Sequence, residues 1–243
     1  MKFITFGSHD NYIDAGNRLI HQASALNIFT ESILYTPEYL KTTEFWGKHK
    51  EFMNNKRGYG YMLWKPYIIK KTMESMKDGD ILLYLDCGCE LNNNKKDQLL
   101  NCINIVKKDK IMGTPTRVEN DREWNKMDLI EKLAMNIDNA LDTRQRQTGA
   151  ILFLVCDETR NLVNEWYTIG CDYHMIDDSP SIFPNFPKFV EHRHDQSIFS
   201  LLTKKYNLYS SVNLKGIYYI RNRNGKSELS NKYLLMEYDY INH

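Results

Sequence analysis

Three short stretches carry the residue types best able to do chemistry. In the first, Ile81-Leu82-Leu83-Tyr84-Leu85-Asp86-Cys87-Gly88-Cys89-Glu90, an apolar run ends on a carboxylate. A carboxylate placed where a buried strand stops is held rigidly at the rim of a sheet, the geometry that binds a divalent cation or a ribose hydroxyl. Gly88 lets backbone approach a ligand, and Glu90 adds a second acid. Asp86 is equally suited to capping the turn that follows. The second stretch, Arg57-Gly58-Tyr59-Gly60-Tyr61-Met62-Leu63-Trp64-Lys65-Pro66, sets two glycines and three aromatics between two cations. It suits a flat ring, with Arg57 and Lys65 on phosphate oxygens. The alternative is an aromatic roof on the core with solvated cations. In the third, His192-Arg193-His194-Asp195-Gln196-Ser197, Asp195 opens an apolar helix, either as its N-cap or as a site carboxylate that the helix dipole keeps ionised. His192, Arg193 and His194 beside it read as a local cationic cluster, with the His-x-His pair as a metal-ligand alternative.

These residues need elements to position them. Phe3 to Phe6 reads as a buried strand, Tyr12 to Leu26 as a helix with Leu19, Ala23 and Leu26 on one face, and Ile33 to Tyr35 as a second strand. A helix from Pro66 to Met76 opens on a proline, closes near Asp78-Gly79 and feeds a strand from Asp80 to Leu85. A helix from Lys95 to Lys108, a strand from Ile111 to Gly113, a helix from Asp128 to Met135 and a strand from Gly149 to Val155 follow. Helices from Glu158 to Tyr167 and from Gln196 to Lys205 complete the pattern. The alternation predicts an α/β fold with a mixed, mostly parallel central sheet flanked by helices. Ligands collect at the carboxyl ends of such strands, so the chemistry is expected just after Phe6, Leu85 and Val155.

Composition narrows the function classes. With 243 residues, 42% hydrophobic and 26% charged, the chain folds rather than staying disordered or coiling into fibres. It has no repeat and no Pro- or Gly/Ser-rich linker, so a single domain spanning residues 1–243 is expected. Lys and Arg number 32 against 31 Asp and Glu, and a net +1 supplies no field to draw in nucleic acid or an anionic membrane. Any anion must be held by a local site. The 5 cysteines are odd in number, and Cys87 and Cys89 are too close in sequence for an unstrained disulfide. Free thiols in a reducing compartment are expected. The longest apolar runs fall far short of the roughly 20 residues of a membrane span, and no signal-peptide core is visible. The expected location is cytoplasmic.

Taken in order, Arg18-Leu19 and Gln22-Ala23, RGYGYMLWKP at 57–66, GDILLYLDCGCEL at 79–91, QTGAILF at 147–153 and HRHDQSIFSLL at 192–202 resemble the GT-A fold glycosyltransferases. The likeness is nearest to small viral and bacterial sugar transferases of capsular-polysaccharide type, and more distant to the glycogenin and lipopolysaccharide galactosyltransferase group. It implies transfer of a hexose from a nucleoside-diphosphate sugar, UDP-sugar favoured, to a hydroxyl on a glycan, lipid or protein. A catalytically silent nucleotide- or sugar-binding relative is the alternative. In the family an Asp-any-Asp motif holds manganese or magnesium against the diphosphate. Asp86 matches its first position as a metal ligand, and Gly88 stands at the second. The resemblance leaves Glu90, His194 or the cations Arg18, Lys65, Arg221 and Arg223 to meet the diphosphate charge. It places Thr5, Phe6, Gly7 and Ser8 on the nucleobase or ribose, and Gln147, Thr148 and Gly149 along the donor sugar. Asp195 and Gln196 then lie beside the anomeric carbon, where a carboxylate serves an oxocarbenium-like transition state. A nucleotidyltransferase is disfavoured because only Gly7 follows the first strand where a glycine-rich basic loop is expected.

Overall fold

A computed structural model describes residues 1–135, 139–214 and 216–219; Arg221 and Arg223 lie outside them. Along the chain run β1 (Lys2–Phe6), α1 (Asp10–Leu26), β2 (Glu31–Tyr35), α2 (Pro37–Lys41), α3 (Glu44–His49), a one-turn segment α4 (Gly58–Tyr61), and α5 (Trp64–Glu74). They are followed by β3 (Ile81–Leu85), β4 (Glu90–Leu91), α6 (Lys96–Asp109), β5 (Ile111–Met112), β6 (Pro115–Asn120), α7 (Met127–Lys132) and β7 (Arg144–Arg146). The last are β8 (Ala150–Leu154), α8 (Asp157–Gly170), α9 (Asp195–Lys205) and β9 (Tyr218–Tyr219).

Five strands form the central sheet in the order β2-β1-β3-β8-β5. β1 pairs parallel with β2 and β3, whereas β8 pairs antiparallel with both β3 and β5. The sheet is therefore mixed, with four strands pointing one way and β8 the other. The direction of β8 corrects one expectation. Its carboxyl end, Val155, lies at the opposite rim, exchanging backbone hydrogen bonds with Gly79 and Asp80. Its amino end, at Gly149, lies instead beside the end of β3.

Both faces of the sheet are covered, so β3 is buried at every position and reads as a continuous apolar run. The period-two alternation survives in its packing. Leu82 and Tyr84 join Ile4, Phe6, Ile151 and Phe153 in one hydrophobic layer, completed by α5, α8 and α9. Ile81, Leu83 and Leu85 join Phe3 and Leu152 in the other, completed by α1 and α6. Each such side chain, fully buried, contributes about 1.5–3 kcal/mol. Continuing the alternation one step past β3 puts Asp86 on the same face as Tyr84, toward α5 and α9. Among the described residues, no helix is long and apolar enough to cross a membrane.

Candidate active site

A cleft of about 1130 Å³ opens where β1 and β3 end and β8 begins. It is lined by Phe6, Ser8, His9 and Tyr12, by residues between Met53 and Lys65, by Asp86 to Cys89, by Thr116 and Glu119, and by Gln147 to Gly149, with Arg193 to Gln196 closing the far wall. Segments more than a hundred residues apart in sequence thus meet at one point.

At its base, Lys65 holds two carboxylates. Its Nζ lies 3.2 Å from Asp86 Oδ1 and 3.2 Å from Asp195 Oδ2, and reaches the Thr148 carbonyl and hydroxyl at 3.4 and 3.3 Å. Lys65 comes from the first turn of α5 and Asp195 from the first residue of α9, so two helices on the same sheet face aim at Asp86. Tyr84, two residues before Asp86 in the pleat, donates its hydroxyl to Asp86 Oδ1 at 2.5 Å. Gly149 stands opposite Asp86 because Leu85 pairs with Ala150; a Cβ there would lie 3.2 Å from Asp86 Oδ2. Lys65 is 2% exposed, Asp195 0% and Asp86 46%, so the cluster is sealed from below and reaches solvent through Asp86. Burial works against the Lys65 charge, but the Asp195 and Asp86 carboxylates outweigh it and raise the ammonium pKa. The Asp195 carboxyl is pushed up by burial, with the Lys65 charge opposing. Burial thus opposes the ionised form of Asp195 that a helix N-terminus is expected to favour.

An aromatic wall stands over the cluster. Trp64 stacks on Phe6 at 3.9 Å between centroids and Tyr59 lies 6.1 Å from the same ring. Gly58, Tyr59, Gly60, Tyr61 and Met62 all have positive φ, making a left-handed turn in which the Tyr61 and Met62 amides donate to the carbonyls of Arg57 and Gly58. Left-handed backbone costs each non-glycine residue roughly 1–2 kcal/mol. The surroundings enforce it: Trp64 Nε1 donates to the Gly58 carbonyl, and Tyr61 packs 4.9 Å from the ring of His194, itself at φ 56° and ψ −126°. Strain of this kind concentrates at binding and catalytic sites.

The far wall is ionic but not cationic in the way its sequence suggests. His192 Nδ1 accepts the Lys126 amide at 3.2 Å and its Nε2–H donates to the Met175 carbonyl at 2.9 Å. That locks a neutral ring, and burial, then the neighbouring His194 and the Lys126 ammonium, drive its pKa down to about 3. His194 donates through Nδ1 to the Ile176 carbonyl, and burial lowers its pKa as well. Arg193 pairs with Glu119 and Glu191, and Arg57 with Asp178 and Glu191, so both arginines are bridged by acids along the cleft rim. The expected cationic cluster is thus one paired arginine between two neutral imidazoles. Behind this wall lies a second cavity of about 570 Å³ bordered by Asp178 to Asn185 and Phe189 to His192. There the buried Asp128 carboxylate accepts the amides of Ile182 and Phe183, holding these two exposed apolar side chains outward.

The oxygens at the end of β3 do not fit a manganese or magnesium ion. A hard cation needs several oxygen ligands in one place. Asp86 Oδ1 is occupied by Tyr84 and Lys65, and the Cys87 and Cys89 carbonyls accept from the Arg18 guanidinium at 3.1 and 2.6 Å. Glu90 is fully buried and accepts from Gln22 of α1, so it faces away from the cleft. A dication on the remaining Asp86 oxygen, roughly 5 Å from the ammonium, would meet a repulsion on the order of 7 kcal/mol at an effective dielectric of about 20. Among the described residues no group of three or more His, Cys, Asp or Glu is gathered for a metal.

Of the residues singled out from sequence, Phe6, Arg57, Lys65, Asp86, Thr148, Gly149, Asp195 and Gln196 border this one cleft. Thr5, Gly7 and Arg18 do not. Thr5 is buried within β1. Gly7 lies under the first turn of α1, where a Cβ would fall 2.7 Å from the Tyr12 carbonyl. Arg18 acts on the loop after β3 from behind. Gln196 donates to Gln145 at 2.6 Å. Tyr84, Asp178, Glu119 and Glu191 escaped the sequence reading. Strand alternation points to Tyr84, whereas nothing local marks the acids.

No family model matches the chain, and no curated protein does. Solved structures are similar to it at low identity. Mouse xyloside xylosyltransferase 1, in its apo form, is 10% identical over 87% of this chain and 85% of its own, with a TM-score of 0.45. A galactosyltransferase solved with donor and acceptor sugar analogues is 14% identical over 83% of this chain and 70% of its own, with a TM-score of 0.42. A putative glucose-1-phosphate thymidylyltransferase from Bacillus anthracis is 11% identical over 100% of this chain and 97% of its own, with a TM-score of 0.41.

Proposed function

We propose that the chain is a glycosyltransferase that moves a sugar from a nucleoside-diphosphate sugar, UDP-sugar favoured, to a hydroxyl acceptor. The observation that carries this reading is the convergence of Asp86, Lys65 and Asp195 at the base of a cleft walled by Phe6, Tyr59 and Trp64. The aromatic wall suits the flat base, and the strand end suits the diphosphate and sugar. As the bond between the anomeric carbon and the diphosphate breaks, its electron pair leaves with the phosphate and positive charge develops on the sugar. Asp195 faces that charge, and Gln196 hydrogen-bonds to sugar hydroxyls. The acceptor oxygen closes on the anomeric carbon, and its proton leaves to solvent. The cavity behind Asp178 and Glu191, with Ile182 and Phe183 at its mouth, is the side from which an acceptor enters.

The complete burial of Asp195 favours one other reading, a nucleotide- or sugar-binding relative without turnover. Incubation with a panel of nucleotide sugars separates the two. Slow release of nucleoside diphosphate from one donor, lost in Asp195→Ser, is the expected result. Binding without release from any donor assigns the silent relative.

A further inference from the structure

We propose that Arg18 and Lys65 together take the place of a divalent cation at the end of β3, so that the cleft binds its nucleoside diphosphate without one; this rests on the donor reading above. A metal at such a site supplies two positive charges and gathers the oxygens of the strand-end loop. Here two side chains of one charge each do both. From the α5 side, Lys65 binds Asp86 Oδ1. From the α1 side, Arg18 binds the carbonyls of Cys87 and Cys89. The loop is thus clamped between cations on opposite faces of the sheet, and each is nearly sealed from solvent. Lys65 also ties Asp86 to Asp195, the two carboxylates a bridging metal would join.

Fixed cations in a water-poor site stabilise a departing phosphate without reorganising, which is the task a metal would otherwise perform. Of the two, only Lys65 borders the cleft, so it acts on the diphosphate directly while Arg18 acts through the loop it holds.

Calorimetry of the EDTA-treated full chain with uridine and guanosine diphosphates, repeated with manganese, tests the proposal. Affinity for the preferred nucleotide is expected to agree within about twofold between the two conditions. Lys65→Gln should weaken it by about ten- to a hundredfold, the range for losing a hydrogen bond to a charged group, and Lys65→Arg should keep most of it. Binding that appears, or tightens more than about tenfold, only with manganese overturns the proposal and leaves the donor reading standing. Failure of every nucleoside diphosphate to bind in either condition overturns the donor reading and this proposal with it. Should Lys65→Gln not fold, the wild-type comparison still decides.

Discussion

Among the described residues, two lysine–aspartate pairs are buried on both sides, Lys65–Asp195 at the cleft and Lys204–Asp121 away from it, and they are built differently. Away from the cleft, Lys204 pairs with Asp121 and donates to the carbonyls of Ala140 and Thr143 at 3.0 Å each. Asp121 also accepts from Asn125 at 2.8 Å and Ser200 at 2.7 Å, so both its oxygens are engaged at good distances. At the cleft, Lys65 has its acceptors at 3.2–3.4 Å, and Asp195 Oδ1 meets no hydrogen bond of ordinary geometry. A saturated buried pair serves the fold. An unsaturated one beside a cleft keeps hydrogen-bonding capacity for something that is not protein.

The largest expected effect comes from cutting the unsaturated cluster. Asp195→Ser and Asp195→Asn should lower transfer or donor hydrolysis by on the order of a hundred- to a thousandfold or more. Their melting temperature should stay level or rise, because Lys65 keeps Asp86 as partner. An active, stable Asp195→Ser protein would place both clusters in the structural class. Cutting the saturated cluster should do the reverse. Lys204→Met strands a buried carboxylate and should cost about 3–5 kcal/mol in chemical denaturation, with activity per folded molecule unchanged.

Acid sharpens the contrast. His192 is held near a pKa of about 3 in the folded chain, well below the roughly 6.5 of an unfolded imidazole. The unfolded state therefore binds the extra proton, and stability is full above about pH 6.5 and lost as pH falls toward 3. Urea denaturation should show about 2–3 kcal/mol less stability at about pH 4.5 than at pH 7 from this residue, and His192→Gln should flatten the slope. Asp195 contributes with opposite sign, since its raised carboxyl pKa lets the folded state gain stability as pH falls through it. The smallest effect concerns the thiol beside Asp86. Burial, then the Asp86 charge, pushes the Cys87 thiol up to about 12, so little thiolate exists at neutral pH. Mass spectrometry after iodoacetamide treatment should find Cys87 unmodified. Rapid labelling would mean that the loop after β3 opens.

Much of the frame was legible because it depends on local pattern. The runs at 81–85 and 150–154 became β3 and β8, and the helices at 10–26, 64–74 and 195–205 fell within a few residues of the expected spans. The polar β6 and β7 were not anticipated, since their pairing shows no apolar alternation, and α2 and α3 carry no long periodic face. At the site, residue type revealed Asp86, Lys65 and Asp195, but environment decided what they are. Nothing in sequence says that His192 is neutral, that Glu90 turns toward α1, or that Lys65 is sealed beneath two carboxylates. Those properties come from contacts across 17 to 130 residues, which no short local window contains. The reversed direction of β8 is of the same kind, because it moved the expected site from Val155 to Gly149.

A left-handed turn cannot begin to form on its own, because every non-glycine residue in it is locally biased to the other hand. Residues 58–62 acquire their shape only once Phe6, Trp64 and His194 stand where they can hold it. The mouth of the cleft therefore depends on the rest of the fold for its shape. In hydrogen exchange, the amides of Tyr61 and Met62 should open well before those of β3, at a free energy far below that of global unfolding. A chain that keeps its sheet under mild denaturant, but has released this one turn, would keep its fold and lose its ligand.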